Sequence, residues 1–159
     1  MDTAMIYAAY GNNLDLSQMS IRCPGAEIYG RAELKDHELV FRGRPNHAVV
    51  TVEPQTGSSV PILLWKISQR HEKSLDRYAC YPSFYRKKMM DFQMGYQTIP
   101  ALIYVMALGH RPGYPSWLYF DTLVAKYQEC GFDPALLGKA MERSGELIQL
   151  EKGVLYGYH

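Results

Sequence analysis

The run Met5–Asp15, MIYAAYGNNLD, constrains the fold more than any other stretch of this chain. It begins as a short apolar segment of β type and breaks at Tyr10-Gly11-Asn12-Asn13-Leu14. Gly and Asn accept tight turns and positive φ at the least cost, so the strand is expected to end there. The Leu-, Gln- and Met-containing stretch Asp15–Ile21 then predicts a helix with Asp15 near its N-terminus. Backbone N–H groups released from a strand and pointing one way can form an anion-binding nest. Strand, tight loop and helix in this order is a common means of holding a carboxylate or phosphate. A strand-ending turn with no ligand is the plainer reading of these five residues taken alone.

Beyond this start the pattern is strands first, helices last. Glu27–Arg42 alternates in parts and predicts a hairpin turning at Lys35-Asp36-His37. His47–Glu53 contains the run Val49-Val50-Thr51-Val52, Pro54–Ser59 reads as a turn, and Val60–Ile67 as a further strand. Ser68–Ala79 predicts a helix capped by Ser68, with Leu75, Tyr78 and Ala79 on its buried face, ended by Pro82. Phe84–Met94 and Ile99–Leu108 predict two strands joined near Gly95. Ser116–Cys130 predicts a helix with Leu118, Thr122, Ala125 and Glu129 in phase, stopped by Gly131. Asp133 and Pro134 open a last helix expected to end near Gly145, with a strand-like tail over Leu147–Leu155. The 159 residues fit one domain spanning 1–159. The expected class is α+β, with a mixed, strongly curved sheet or small β-barrel flanked by helices.

Charge and motifs exclude more than they assign. Seventeen basic and sixteen acidic side chains give a net charge of +1, which offers no electrostatic reason to expect nucleic acid or an anionic membrane as partner. No apolar stretch reaches bilayer length, and no basic segment precedes an apolar one at the N-terminus, so a cytoplasmic protein is expected. Cys23, Cys80 and Cys130 form no CxxC pair and suit a reducing compartment. His37, His47, His71, His110 and His159 are scattered, and His71-Glu72 lacks a second His four residues on, so no metal is expected. His71 and Glu72 are expected to face water. No GxGxxG, GxxxxGK or GxSxG occurs. Cys80 follows a helix C-terminus, which raises a thiol pKa, so a buried or half-buried inert thiol is expected. Arg86-Lys87-Lys88 reads as a solvated sheet edge. Thirteen tyrosines can line a polar cavity or merely populate strands.

Taken together, several segments resemble one family, the γ-glutamylcyclotransferase-like (AIG2-like) proteins. Tyr7-Ala8-Ala9-Tyr10-Gly11-Asn12-Asn13-Leu14 resembles its YxAYGSNL motif, with Asn12 where Ser is usual. MSIRCP (Met19–Pro24) resembles the following RCP segment, and SLDRYACYPSFYR (Ser74–Arg86) resembles LDxYEGxPxxYxR. The resemblance implies a small mixed barrel, a cavity between the YGNNL loop and the LDRYACYP region, and no cofactor. It also implies release of 5-oxoproline from a γ-glutamyl compound, the substrate's own α-amine attacking its γ-carbonyl. One carboxylate would take the amine proton and return one to the leaving nitrogen. The loop N–H groups would hold the carboxylate and the developing oxyanion.

By that resemblance, the family's acid/base Glu falls at Ala79 and the Gly after it at Cys80. Alanine accepts no proton, and such groups contribute about 10²- to 10⁴-fold, so the chain is expected to be a poor cyclotransferase. Either a Glu has been replaced by a recent single change, or the protein is a natural relative that binds and sequesters a small anionic metabolite. The candidate site is therefore position 79 for catalysis, with Tyr10, Gly11, Asn12, Asn13, Leu14, Tyr85 and Tyr119 for substrate binding. Asp76, three residues before Ala79, is the alternative proton acceptor.

Overall fold

The computed structural model describes residues 4–156. The elements are β1 (Met5–Ala9), a 3₁₀ turn (Asn12–Leu14), α1 (Leu16–Arg22), β2 (Glu27–Arg42), β3 (Val49–Ile67), α2 (Gln69–Tyr78), β4 (Tyr85–Met94), β5 (Gln97–Met106), α3 (Trp117–Cys130) and α4 (Ala135–Tyr156). Among the described residues the strands close a barrel in the order β1-β3-β2-β4-β5. The barrel is mixed. β1 runs antiparallel to β3, with Tyr7 opposite Trp65, and parallel to β5, with Tyr7 opposite Leu102. β4 and β5 form a hairpin through Gly95, whose φ of 61° is the left-handed turn that glycine accepts most easily. The α+β class and the small mixed barrel are as expected.

The chain divides into two compact units. The first comprises the residues up to His37 together with Pro54–Ala107, and the second comprises Glu38–Glu53 together with the residues from Leu108 onward. Met19, Leu34, Ile62, Leu64, Leu75, Phe92 and Ile103 are buried in the first; Val40, Phe41, Val52, Leu123, Tyr127 and Leu137 are buried in the second.

Three sequence expectations are corrected. The two predicted β turns, Lys35-Asp36-His37 and Pro54–Ser59, lie inside the continuous strands β2 and β3. Their turn-forming residues bend the strands instead. Asp36 takes a positive φ of 57°, and its Oδ1 accepts the N–H of Gly57, itself at φ 87°, in a bond of 2.9 Å. Arg86-Lys87-Lys88 is not an edge, because β4 is flanked by β2 and β5 in the closed barrel. In α3 the helical period is as expected. Leu123, Lys126 and Tyr127 are buried, while Leu118 is 80% exposed. Finally, α4 runs through Gly145 and over the predicted tail. A Cβ at Gly145 would stand 2.8 Å from the Tyr114 hydroxyl, so this glycine makes room for a neighbour rather than ending the helix.

Candidate active site

The loop after β1 is built as its residue types dictate. Asn12–Leu14 form a single 3₁₀ turn, in which the N–H groups of Leu14 and Asp15 return to the carbonyls of Gly11 and Asn12. Asp15 then caps α1, its Oδ1 accepting Ser17 N–H at 2.8 Å and Gln18 N–H at 3.2 Å.

Asn13 fixes this loop from three sides. Its Nδ2 donates to the Tyr7 hydroxyl on β1 (2.9 Å), its Oδ1 accepts from Arg22 on α1 (2.6 Å), and its carbonyl accepts Trp65 Nε1 on β3 (3.1 Å). The carboxamide is buried and engaged at both its nitrogen and its oxygen, so it serves as an anchor. Leu14 is buried too. Burial holds the Tyr7 phenol far above its usual range, against the opposing pull of Asn13 and Arg22. Tyr10 is likewise buried, and its hydroxyl donates to the Tyr104 carbonyl at 2.6 Å.

α2 meets this loop. Ser68 and His71 form a reciprocal cap, in which His71 Nδ1 accepts the Ser68 N–H and the Ser68 hydroxyl accepts the His71 N–H. His71 Nε2 lies 2.6 Å from the Pro24 carbonyl, which requires the proton on Nε2. The expectation that His71 faces water is thus corrected: both ring nitrogens hold structure. Nor is Glu72 a free surface acid. Lys87 on β4 sits between Glu72 Oε2 (2.8 Å) and Asp76 Oδ2 (3.1 Å). Burial pulls the Lys87 ammonium down, but the two carboxylates outweigh it, and its pKa is raised. The other oxygen of Asp76 accepts the Tyr104 hydroxyl at 2.5 Å. Burial, reinforced by that carboxylate, pushes the Tyr104 phenol up.

At its C-terminal end α2 touches the loop directly. Asn12 Nδ2 donates to the Tyr78 hydroxyl at 2.5 Å, and the Arg22 guanidinium stacks 3.5 Å over the Tyr78 ring. Ala79 follows as the helix C-cap. Cys80 then adopts φ 51°, a left-handed conformation, and is exposed rather than buried or half-buried as expected, because the chain leaves the helix there. The structure therefore brings the loop, through Asn12, to the residue preceding Ala79. Tyr85 stands on β4 opposite Met106, its ring 5.2 Å from that of Phe84. Tyr119 belongs to the second unit, where its hydroxyl accepts the Val50 N–H (3.1 Å) and its ring meets Phe41 edge-on.

Sequence reasoning assigned no part in the site to Tyr7, Arg22, Lys87 or Tyr104, and the expectation that Tyr78 faces the core is corrected: its ring is 42% exposed, turned to Asn12 and Arg22. Only the spacing Gln18…Arg22, one helical turn, hinted at a contact, and Gln18 Oε1 does accept from Arg22. A cavity of about 590 Å³, open to solvent and lined by residues including His47, Tyr114, Trp117 and Phe120, lies in the second unit. Among the described residues, no group of three or more His, Cys, Asp or Glu is placed to hold a metal ion, and no helix is long and apolar enough to cross a membrane. His159 lies outside the described residues.

A family profile described as "Gamma-glutamyl cyclotransferase, AIG2-like" matches residues 7–119, from the Tyr7 that holds Asn13 through the whole barrel to α3. This chain belongs to that family. A gamma-glutamylcyclotransferase of Bos taurus is 30% identical over 82 residues, which cover 46% of this chain and 43% of that protein. The chain thus matches under half the length of that relative. A solved gamma-glutamyl cyclotransferase, 23% identical, superposes with a TM-score of 0.77 over 87% of this chain and 86% of the other. YkqA from Bacillus subtilis, 17% identical, covers 91% of this chain and 55% of its own, with a TM-score of 0.73. At these identities the two structures establish the γ-glutamylcyclotransferase-like fold.

Proposed function

We propose that the first unit binds a γ-glutamyl compound and belongs to an enzyme lineage that closes such compounds intramolecularly to release 5-oxoproline. In this chain, alanine stands where the acid/base would act. The observation that carries this reading is the Asn12–Tyr78 bond, which joins the loop after β1 to the turn bearing Ala79. Within the loop, the donors that the turn itself does not consume are the N–H groups of Gly11, Asn12 and Asn13. They suit a carboxylate or a developing oxyanion.

The chemistry needs a base. An α-ammonium is inert toward the γ-carbonyl until it loses a proton, and the leaving amine needs one back. Ala79 supplies neither. Asp76 is a poor substitute, because one oxygen holds Tyr104 and the other Lys87. The chain as it stands is therefore expected to be a poor catalyst, and binding and sequestering the same compound is the alternative reading. Three free cysteines fit a reducing compartment such as the cytosol.

The test is Ala79→Glu. The substitution is expected to raise 5-oxoproline release from at least one member of a γ-glutamyl amine and amino-acid panel by about 10²-fold or more, measured by chromatography. A folded variant that binds γ-glutamyl compounds but releases none would leave sequestration as the function. A folded variant that neither binds nor cleaves them would overturn the assignment.

A further inference from the structure

Arg22 reaches the loop with no ion pair to an opposite charge among the described residues. Its guanidinium is half-buried and held only by neutral groups: the Asn13 and Gln18 side-chain oxygens and the face of Tyr78. The acids of the flanking helices are committed elsewhere. Asp15 takes the first amides of α1, and Glu72 and Asp76 share Lys87. A half-buried cation without a counter-ion is costly to maintain for packing alone, since neutral acceptors only partly replace water. Its field is felt by neighbours, opposing the upward push of burial on Tyr7 and on Cys23, whose thiol is nonetheless raised to about 11. Two of its five N–H groups are engaged with the side-chain oxygens, so the guanidinium retains donors for a further acceptor.

From this arrangement we propose that Arg22 is the residue that makes the site select a ligand carboxylate. The loop amides supply partial charges, and Arg22 supplies the full positive charge behind them, one side chain away through Asn13. The proposal rests on the functional reading above and assigns its anion selectivity to a single residue. Because position 79 carries no carboxylate, no charge from that residue offsets the guanidinium. The chain is therefore expected to prefer acids to their uncharged amides strongly.

The experiment is calorimetric titration of the full chain, Arg22→Met and Arg22→Lys with 5-oxoproline and with its neutral primary amide. The starting chain is expected to prefer the acid by about tenfold or more, because a full positive charge one side chain away attracts the carboxylate and not the amide. That preference should weaken with added salt. Arg22→Met should bring the two affinities to within a few-fold of each other, and Arg22→Lys should retain most of the preference. A purely structural role for Arg22 would lower both affinities together and leave their ratio unchanged, and that result overturns the proposal. If the starting chain binds neither 5-oxoproline nor any γ-glutamyl compound, the functional reading itself fails and this inference falls with it.

Discussion

Replacing Asn13 by Ala should be among the most damaging single polar substitutions in the first unit. Asn13 is 7% exposed, and its side chain holds Tyr7 and Arg22 at once. Losing the neutral bond to Tyr7 costs about 1 kcal/mol and losing the charge-assisted bond from half-buried Arg22 about 1.5 kcal/mol. The Tyr7 hydroxyl, on a side chain 5% exposed, is left without this partner and adds about 1 kcal/mol. The Trp65 bond to the Asn13 carbonyl survives, because it uses the backbone. The sum, about 3–4 kcal/mol, corresponds to a fall in Tm of roughly 6–16 °C for a chain of this size. Urea unfolding of Asn13→Ala, Tyr7→Phe and the double variant measures it. The double variant should recover part of the loss, since no hydroxyl is then stranded, and the cycle should show a coupling of about 1 kcal/mol or more. A loss under about 1 kcal/mol for Asn13→Ala, or strict additivity with Tyr7→Phe, would refute the view that this carboxamide pins the loop.

Three further outcomes follow from the geometry. Raised pKa values in the folded state mean that stability is fully present below the unfolded pKa and falls as pH rises. For Cys23, 9.0 unfolded and about 11 folded, the loss should run over pH 9 to 11, amount to about 2–3 kcal/mol, and vanish from the profile in Cys23→Ala. Lys87 titrates in the same direction, so Lys87→Met should flatten the alkaline limb further while lowering stability at neutral pH. In α4, Gly145→Ala should stabilise by about 0.5–1 kcal/mol only when combined with Tyr114→Phe, which removes the atom 2.8 Å from the new methyl; equal effects in both backgrounds would contradict the packing role of Gly145.

How much of this was legible in the sequence varied with the range of the interaction. Ser68 and Gly131 cap their helices as read, because a cap concerns residues two to four apart. The strand, turn and helix over Met5–Asp15 were legible for the same reason. Asp36 and Gly57 misled because a left-handed residue serves a hairpin or a bend in a long strand equally well, and the choice depends on a partner 21 positions away. Gly145 misled because its cause, Tyr114, is 31 residues upstream. The face of α3 could not be phased from Leu118, because a period does not say which side meets a neighbour.

The amino-acid order by itself determined the caps of α2 and α3, the hairpin through Gly95 and the loop that ends β1, all of which follow from backbone conformations of neighbouring residues. Tertiary structure alone decided what stands around that loop. Tyr7, Arg22 and Trp65 converge on Asn13, and Tyr104 and Lys87 take up both oxygens of Asp76, from strands and helices up to 52 positions away in the chain. The reason is physical. Polar groups drawn into a barrel must find partners wherever closure of the sheet puts them, and no local pattern records that distance.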